Sequence, residues 1–333
     1  MKKHQFSLMI LFVVMLLFGC SDNEIETNSL NEEVVYNYVV DAIVMEWKES
    51  PHNNIIEDTK NRNDCLICHD GGGFALQTKE YADIDYAKPI ECMSCHDSHA
   101  NALKNKKSIS IPTKDTVIGG QGNLCMSCHN GRGKSTADAP RRAYPHYGPQ
   151  ADVLTGSGGI QLQEWGNLNN TYGHIDLDNT CVDCHLVQKD NHLNHSFLLD
   201  NSDADIICGR CHTGTDSFDV LAKNDYDGNG QVEGIQKEVK GLMDSLYTEI
   251  NKRLNNGSFA GEKGAFVFKD SNENIIDTVS DELYVAAYNY YLIKSDRSYG
   301  IHNPLYTVHL LQLSYKNLTG KEIPNAFIVK GDL

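Results

Sequence analysis

Apolar residues are spread unevenly along this 333-residue chain. A run from Phe6 to Phe18 is nearly unbroken and follows Lys2, Lys3 and His4. It falls short of the ~20 residues that span a bilayer, and its basic, apolar, small-residue order is that of an export signal. Residues 34–48 fit helix or strand by pattern alone, and we read them as an N-terminal helix. The stretch that follows, to about residue 215, is broken by Gly71, Gly72 and Gly73, by Gly119 and Gly120, and by Gly156, Gly158 and Gly159, where turns are predicted. Helical spacing then becomes clear: Ile235, Val239, Leu242, Met243, Leu246, Ile250 and Leu254 predict a long amphipathic helix over 235–254. Residues 264–279 read as a short hairpin or covering loop. Asp281 is placed as the cap of a helix over 282–293, and Pro304 as the first turn of a last helix containing Leu310, Leu311 and Leu313.

The cysteines change this picture. Ten of the eleven fall in five Cys-x-x-Cys-His blocks: Cys65, Cys68 and His69; Cys92, Cys95 and His96; Cys125, Cys128 and His129; Cys181, Cys184 and His185; Cys208, Cys211 and His212. This is the attachment signature of c-type haem, repeated five times. Two thiols three residues apart can add to the two vinyl groups of one porphyrin, and the next residue presents its imidazole to the iron. A zinc ribbon, a disulfide framework or a thiol redox pair would each leave the histidines unexplained. Five porphyrins within residues 65–212 bring their own apolar faces, so side chains need not form one continuous centre there. The expected fold is therefore mainly α with extensive loops, wrapped around five covalent haems, with C-terminal helices packing over the last of them. The region without haem is expected to be largely unfolded.

The remaining cysteine, Cys20, closes the Leu17-Phe18-Gly19-Cys20 segment, which resembles a lipobox. The acidic Ser21-Asp22-Asn23-Glu24 after it resembles the short export tag of surface lipoproteins. The expected organisation is a lipoprotein signal peptide over 1–19, a flexible tether over 20–33 lipidated at Cys20, a pentahaem region over 34–215, and a helical region over 216–333 completing the same haem domain. Export suits haem attachment, and surface display on the outer membrane is favoured over a periplasm-facing anchor. Loss of Lys2 and Lys3 with the signal carries the formal charge from -16 to -18. Such a surface does not bind nucleic acid by phosphate neutralisation. It favours cationic partners through a field that salt weakens, although acidity also serves solubility.

Apart from His4 and the five motif histidines, the chain holds His52, His99, His146, His174, His192, His195, His302 and His309. Eight candidates for five second axial positions leave no iron necessarily open. Here the chain resembles the multihaem cytochromes c related to ammonia-forming nitrite reductases, in particular their electron-carrying relatives, over most of residues 50–318. The marks are Cys92 to His99, Pro145 to Asp152, Cys181 to His185 followed by His195-Ser196-Phe197, and Ser298 to Tyr306. The resemblance implies distal ligation by His99, His146, His195 and His302. His52, in Ser50-Pro51-His52 before the first block, is taken as the fifth, with His174 in reserve. The reductases replace one motif histidine by lysine, and no Cys-x-x-Cys-Lys occurs here, so none of their catalytic residues is carried over.

Asp225 to Gln236 matches an EF-hand loop at Asp225, Asp227, Asn229 and Gly230, which suits Ca2+. Position twelve is Gln236, and an Asx-rich turn opening the 235–254 helix needs no ion. The expected function is electron transfer through five mostly or all bis-histidine haems in an anaerobic or extracellular respiratory chain. Its partners are redox proteins or an extracellular acceptor, the membrane through Cys20, and a second copy of the chain. The alternative is an oxidoreductase reducing a nitrogen or sulfur oxyanion at one open haem. A structural or sensing haem protein is a third reading.

Overall fold

The computed structural model describes residues 38–331 apart from 85, 140–141 and 169–172. The expected signal, Cys20, the expected tether and residues 34–37 of the expected N-terminal helix lie outside these. The fold is short helices joined by loops, followed by three long helices. Helix α1 covers 38–49. Then come α2 (Asn63–His69), α3 (Gly71–Leu76), α4 (Cys92–His96), α5 (Ser98–Lys104), α6 (Asn123–Cys128), α7 (Gln150–Leu154), α8 (Cys181–His185) and α9 (Ala204–Ile207). Two small antiparallel ladders lie among them, β1 (Ile109–Ile111) with β2 (Lys114–Val117) and β3 (Gln188–Lys189) with β4 (His192–Leu193).

The C-terminal half is built differently. Helix α10 (Ile235–Arg253) buries all six of its predicted apolar positions, and Leu254 just beyond it is buried too. It packs against α11 (Asp281–Asp296) and α12 (Pro304–Thr319). Their shared core runs from Leu242 and Leu246 through Tyr284 and Leu292 to Leu310 and Leu311. Within the cysteine-rich half the apolar clusters are small, Ile111 with Met126 and Leu154 in one and Phe74 with Leu103 in another. That contrast matches a region whose interior is completed by something other than side chains.

Three local expectations shift. The hairpin forms earlier, β5 (Ser258–Glu262) with β6 (Ala265–Lys269), because Lys263 and Gly264 both take positive φ (48° and 82°), the two-residue turn that matches strand twist. Helix α11 is capped by Ser280, whose hydroxyl accepts the Leu283 N–H, and Asp281 becomes its first residue. Gly71, Gly72 and Gly73 form helix α3 instead of a turn. Asp70 caps that helix by accepting the Gly73 N–H at 2.9 Å. A Cβ on Gly71 would lie 2.2 Å from the Pro89 carbonyl oxygen, so glycine serves close approach there.

Buried polar clamps join the halves. Asn289 of α11 exchanges hydrogen bonds with the backbone of Ile160 and donates to Ser314 of α12. Asn303, the cap of α12, donates to the Leu154 carbonyl at the end of α7. No helix among the described residues is long and apolar enough to cross a membrane.

Candidate haem centres

Four of the five blocks lie in a helical turn: in α2, α4 and α8 the block closes with its histidine, and in α6 His129 is the cap. The fifth extends α9, with the His212 N–H bonded to the Cys208 carbonyl at 2.7 Å. Residues three and four apart share one helix face, so each turn presents two thiols and an imidazole to the same side. None of the ten motif cysteines pairs in a disulfide. We number the centres one to five along the chain.

Each motif histidine faces a different non-motif histidine. Ring centroids are 6.0 Å apart for His69 and His146, 6.3 Å for His96 and His195, 6.0 Å for His129 and His52, 6.4 Å for His185 and His302, and 6.4 Å for His212 and His174. A metal–imidazole bond is about 2 Å, so two rings on opposite sides of one iron have centroids about 6 Å apart. The donor set and its spacing thus fit five bis-histidine haems.

His99 is placed differently. It lies in the first turn of α5, capped by Asp97, and its ring meets Phe74 edge-on at 5.1 Å. His192 bonds Glu46 at 3.0 Å, and His309 is buried in α12.

Six of the ten paired imidazoles have Nδ1 held by an acceptor, which leaves Nε2 for a metal. His146, His174, His185 and His195 donate to the carbonyls of Tyr147, Ile301, Phe197 and Leu193. His129 donates to Gln150 Oε1 at 3.2 Å, and His302 to Asp296 Oδ1 at 2.6 Å. Burial holds His52 down at about 4, assisted by His129. Burial likewise lowers His69, His96, His129, His146, His174 and His185. Neutral imidazole is the form a metal needs. His302 moves the other way: burial lowers it, and the Asp296 carboxylate, together with Cys181, raises it overall.

The centres also lie near one another. Cys68 lies beside Cys128, and Cys125 beside Cys181. Cys95 lies near enough to Cys125, and Cys208 to Cys184, for their charges to interact. Centre three therefore adjoins centres one, two and four, and centre four adjoins five. Phe197, with φ of 58°, sits at the junction: its ring meets His52 at 4.9 Å and His195 at 6.0 Å, and its carbonyl accepts from His185. Arg132 lies between centres one and three, donating to the Cys128 carbonyl and lying beside Cys68. A cavity lies beside His212 and Cys211, bordered by Thr213, Asp216 and Leu221.

Buried Asp152 positions the loop after the third block, accepting from Thr113 Oγ1 at 2.5 Å and from the Gly131 N–H at 2.6 Å. Burial raises its pKa. Asp152 falls in one of the segments carrying the family resemblance. Gln150, Asp296 and Phe197 carry no ligand spacing in the sequence, and only the fold brings them to the imidazoles.

In the acidic loop, the carboxylates of Asp225 and Asp227 lie together with that of Glu238, which was not among the expected residues. Asn229 donates to Asp227 and Glu233. Asp225 accepts the N–H groups of Gly228 and Gly230, so the loop is closed by its own backbone donors.

No family model matches the chain, and no curated protein matches it. Two solved structures are similar. One is the outer cell wall cytochrome OcwA, 18% identical, with 82% of this chain and 50% of that one covered and a TM-score of 0.48. The other is the undecahaem cytochrome from the S-layer of Carboxydothermus ferrireducens, 21% identical, with 79% of this chain and 39% of that one covered and a TM-score of 0.43. The chain spans half or less of the length of each.

Proposed function

We propose that this chain is a multihaem c-type cytochrome that binds five covalent haems and conducts electrons between redox partners outside the cytoplasm. The observation that supports this is the set of five separate histidine pairs, one for each Cys-x-x-Cys-His block. On this reading His146, His195, His52, His302 and His174 are the distal ligands of centres one to five in that order. His174 takes the place expected of His99.

Bound haem supplies a one-electron iron couple. The chain supplies two imidazoles to each iron, orients six of them through Nδ1, and sets the centres near one another. Neutral imidazole lacks the potential-raising thioether of Met/His ligation, so low potentials are expected. These proximities describe a branched path: centre three has three neighbours, and centres one, two and five are its ends. Residues 296–303 reach centres four and five through His302 and through the Ile301 carbonyl, which supports the C-terminal helices as part of the haem domain.

We further infer that residues 1–19 are an export signal, that Cys20 carries the lipid anchor, and that residues 20–33 tether the cytochrome at the outer-membrane surface. Its acidic surface suits a redox protein or extracellular acceptor with positive charge.

Protein matured with its haems should carry five per chain by mass and show only low-spin ferric signals by EPR. Fewer than five covalent haems, or a high-spin haem that binds nitrite, sulfite or cyanide, would overturn this reading.

A further inference from the structure

Among the six imidazoles whose Nδ1 acceptor is described, five face a neutral oxygen and one faces a carboxylate. That one is His302, 2.6 Å from Asp296 Oδ1. Asp296 is 2% exposed. Its second oxygen accepts from the Ser298 N–H and hydroxyl, so the carboxylate is held from both sides and aimed at the ring. Asp296 is also the last residue of α11, where the helix places its partial negative charge. Arg297, the next residue, turns the chain away in a left-handed conformation with φ of 66°.

A carboxylate hydrogen-bonded to the outer nitrogen of a ligating histidine makes that ligand more electron-rich, which stabilises the oxidised metal over the reduced one. A carbonyl does the same more weakly, because charge-assisted hydrogen bonds are roughly twice as strong as neutral ones. We propose that Asp296 is a positioning and tuning residue that makes centre four the lowest-potential haem of the five. This rests on the reading of His302 as a ligand of that centre. The exchange concerned is one electron at one iron, taken from a neighbouring centre or returned to it, with the Nδ1 proton remaining on His302 in both states. Centre four lies between centre three, through Cys125 and Cys181, and centre five, through Cys184 and Cys208. An electron crossing between the branched end and centre five then passes an uphill step that Asp296 sets.

The test is a spectroelectrochemical titration of the haem-loaded full chain and of Asp296→Asn. One of the five midpoint potentials, the lowest, should rise by at least tenfold in its reduction equilibrium, about 59 mV for a one-electron couple. The other four should stay, with five low-spin haems retained. Five unchanged potentials in an intact variant would overturn the proposal. Should Asp296→Asn not fold, Ser298→Ala loosens the same carboxylate and should move the same potential in the same direction. His302→Met supplies the independent check: it should raise the lowest potential of the set, and a rise in any other overturns the assignment of centre four. His302→Ala separates the two ideas, since a fully low-spin spectrum there removes His302 as a ligand. One high-spin haem in His302→Ala beside unchanged potentials in Asp296→Asn removes only the role of Asp296.

Discussion

The carboxylate of Glu46 accepts the backbone N–H of His195 at 2.8 Å, across 149 positions of sequence, and its other oxygen meets His192 Nε2 at 3.0 Å. Helix α1 thereby fixes the segment that carries the distal ligand proposed for centre two. Trp47 adds a second tie, its indole donating to the Ile90 carbonyl two residues before Cys92. A hydrogen bond to a charged group contributes about 1.5–3 kcal/mol, so its loss raises the detached population of His195 roughly ten- to a hundredfold. Glu46→Ala should give one haem a high-spin fraction that binds cyanide at neutral pH, and Glu46→Gln, which keeps an acceptor for the His195 N–H, should not. An unaltered spectrum in Glu46→Ala would show that the ligand holds itself.

Glu238 is fully buried and carries the acidic loop. One oxygen accepts the N–H groups of Tyr226 at 2.7 Å and Asp227 at 3.2 Å, and the other accepts that of Glu233 at 2.9 Å. Truncation would strand three backbone donors in the interior, at a cost of about 3 kcal/mol. Glu238→Ala should lower the denaturant midpoint accordingly, while Glu238→Gln, with one remaining acceptor oxygen, falls between. Equal midpoints for Ala and wild type would mean that water replaces the carboxylate.

Tyr290 links stability to alkaline pH. Burial pushes its hydroxyl up to about 12, assisted by Tyr247 and Asp244. The unfolded chain releases this proton near 10 and the folded chain near 12, so over that window the folded state binds more protons and stability falls as pH rises. Tyr290 is only half-buried, and solvent screening reduces the effect to about 1 kcal/mol. Tyr290→Phe should flatten the stability profile between pH 10 and 12 relative to wild type. Parallel profiles would assign the alkaline loss to other groups.

The C-terminal helices were readable because periodic burial is a local signal, and Ile235 through Ile250 needed no partner to be recognised. The cysteine-rich half was readable only as chemistry. The glycine triplet shows why: Gly71 resembles turn punctuation, yet its N–H bonds the Lys88 carbonyl and Asp70 accepts the Lys88 N–H. A contact between segments 17 or 18 residues apart decides the helix, and no local pattern records it. Gly71→Ala would press its Cβ against the Pro89 carbonyl and should cost about 1–3 kcal/mol. At Gly72 the nearest atom is Asp70 Oδ1 at 3.2 Å, and Gly72→Ala should be close to neutral. If the two variants melted alike, the approach to Pro89 would not be what requires glycine at 71.

His99 and His174 separate motif from fold most sharply. His99 follows the second block by three residues and belongs to a segment with the family resemblance, but Asp97 caps a new helix there and turns the ring onto Phe74. His174 stands 38 positions before His212, in a short 3-10 turn whose backbone and Nδ1 bond the carbonyls of His302 and Ile301. The same segment that carries the ligand proposed for centre four thus orients the one proposed for centre five, a coupling that exists only after the C-terminal half has docked. His174→Ala should convert one haem to high spin and open it to cyanide, leaving haem content at five because the thioether bonds do not depend on the distal ligand. His99→Ala should keep five low-spin haems and lose only the packing on Phe74, about 1 kcal/mol. The reverse pattern, high spin in His99→Ala and none in His174→Ala, would return the distal position to His99 and remove His174 from the ligand set.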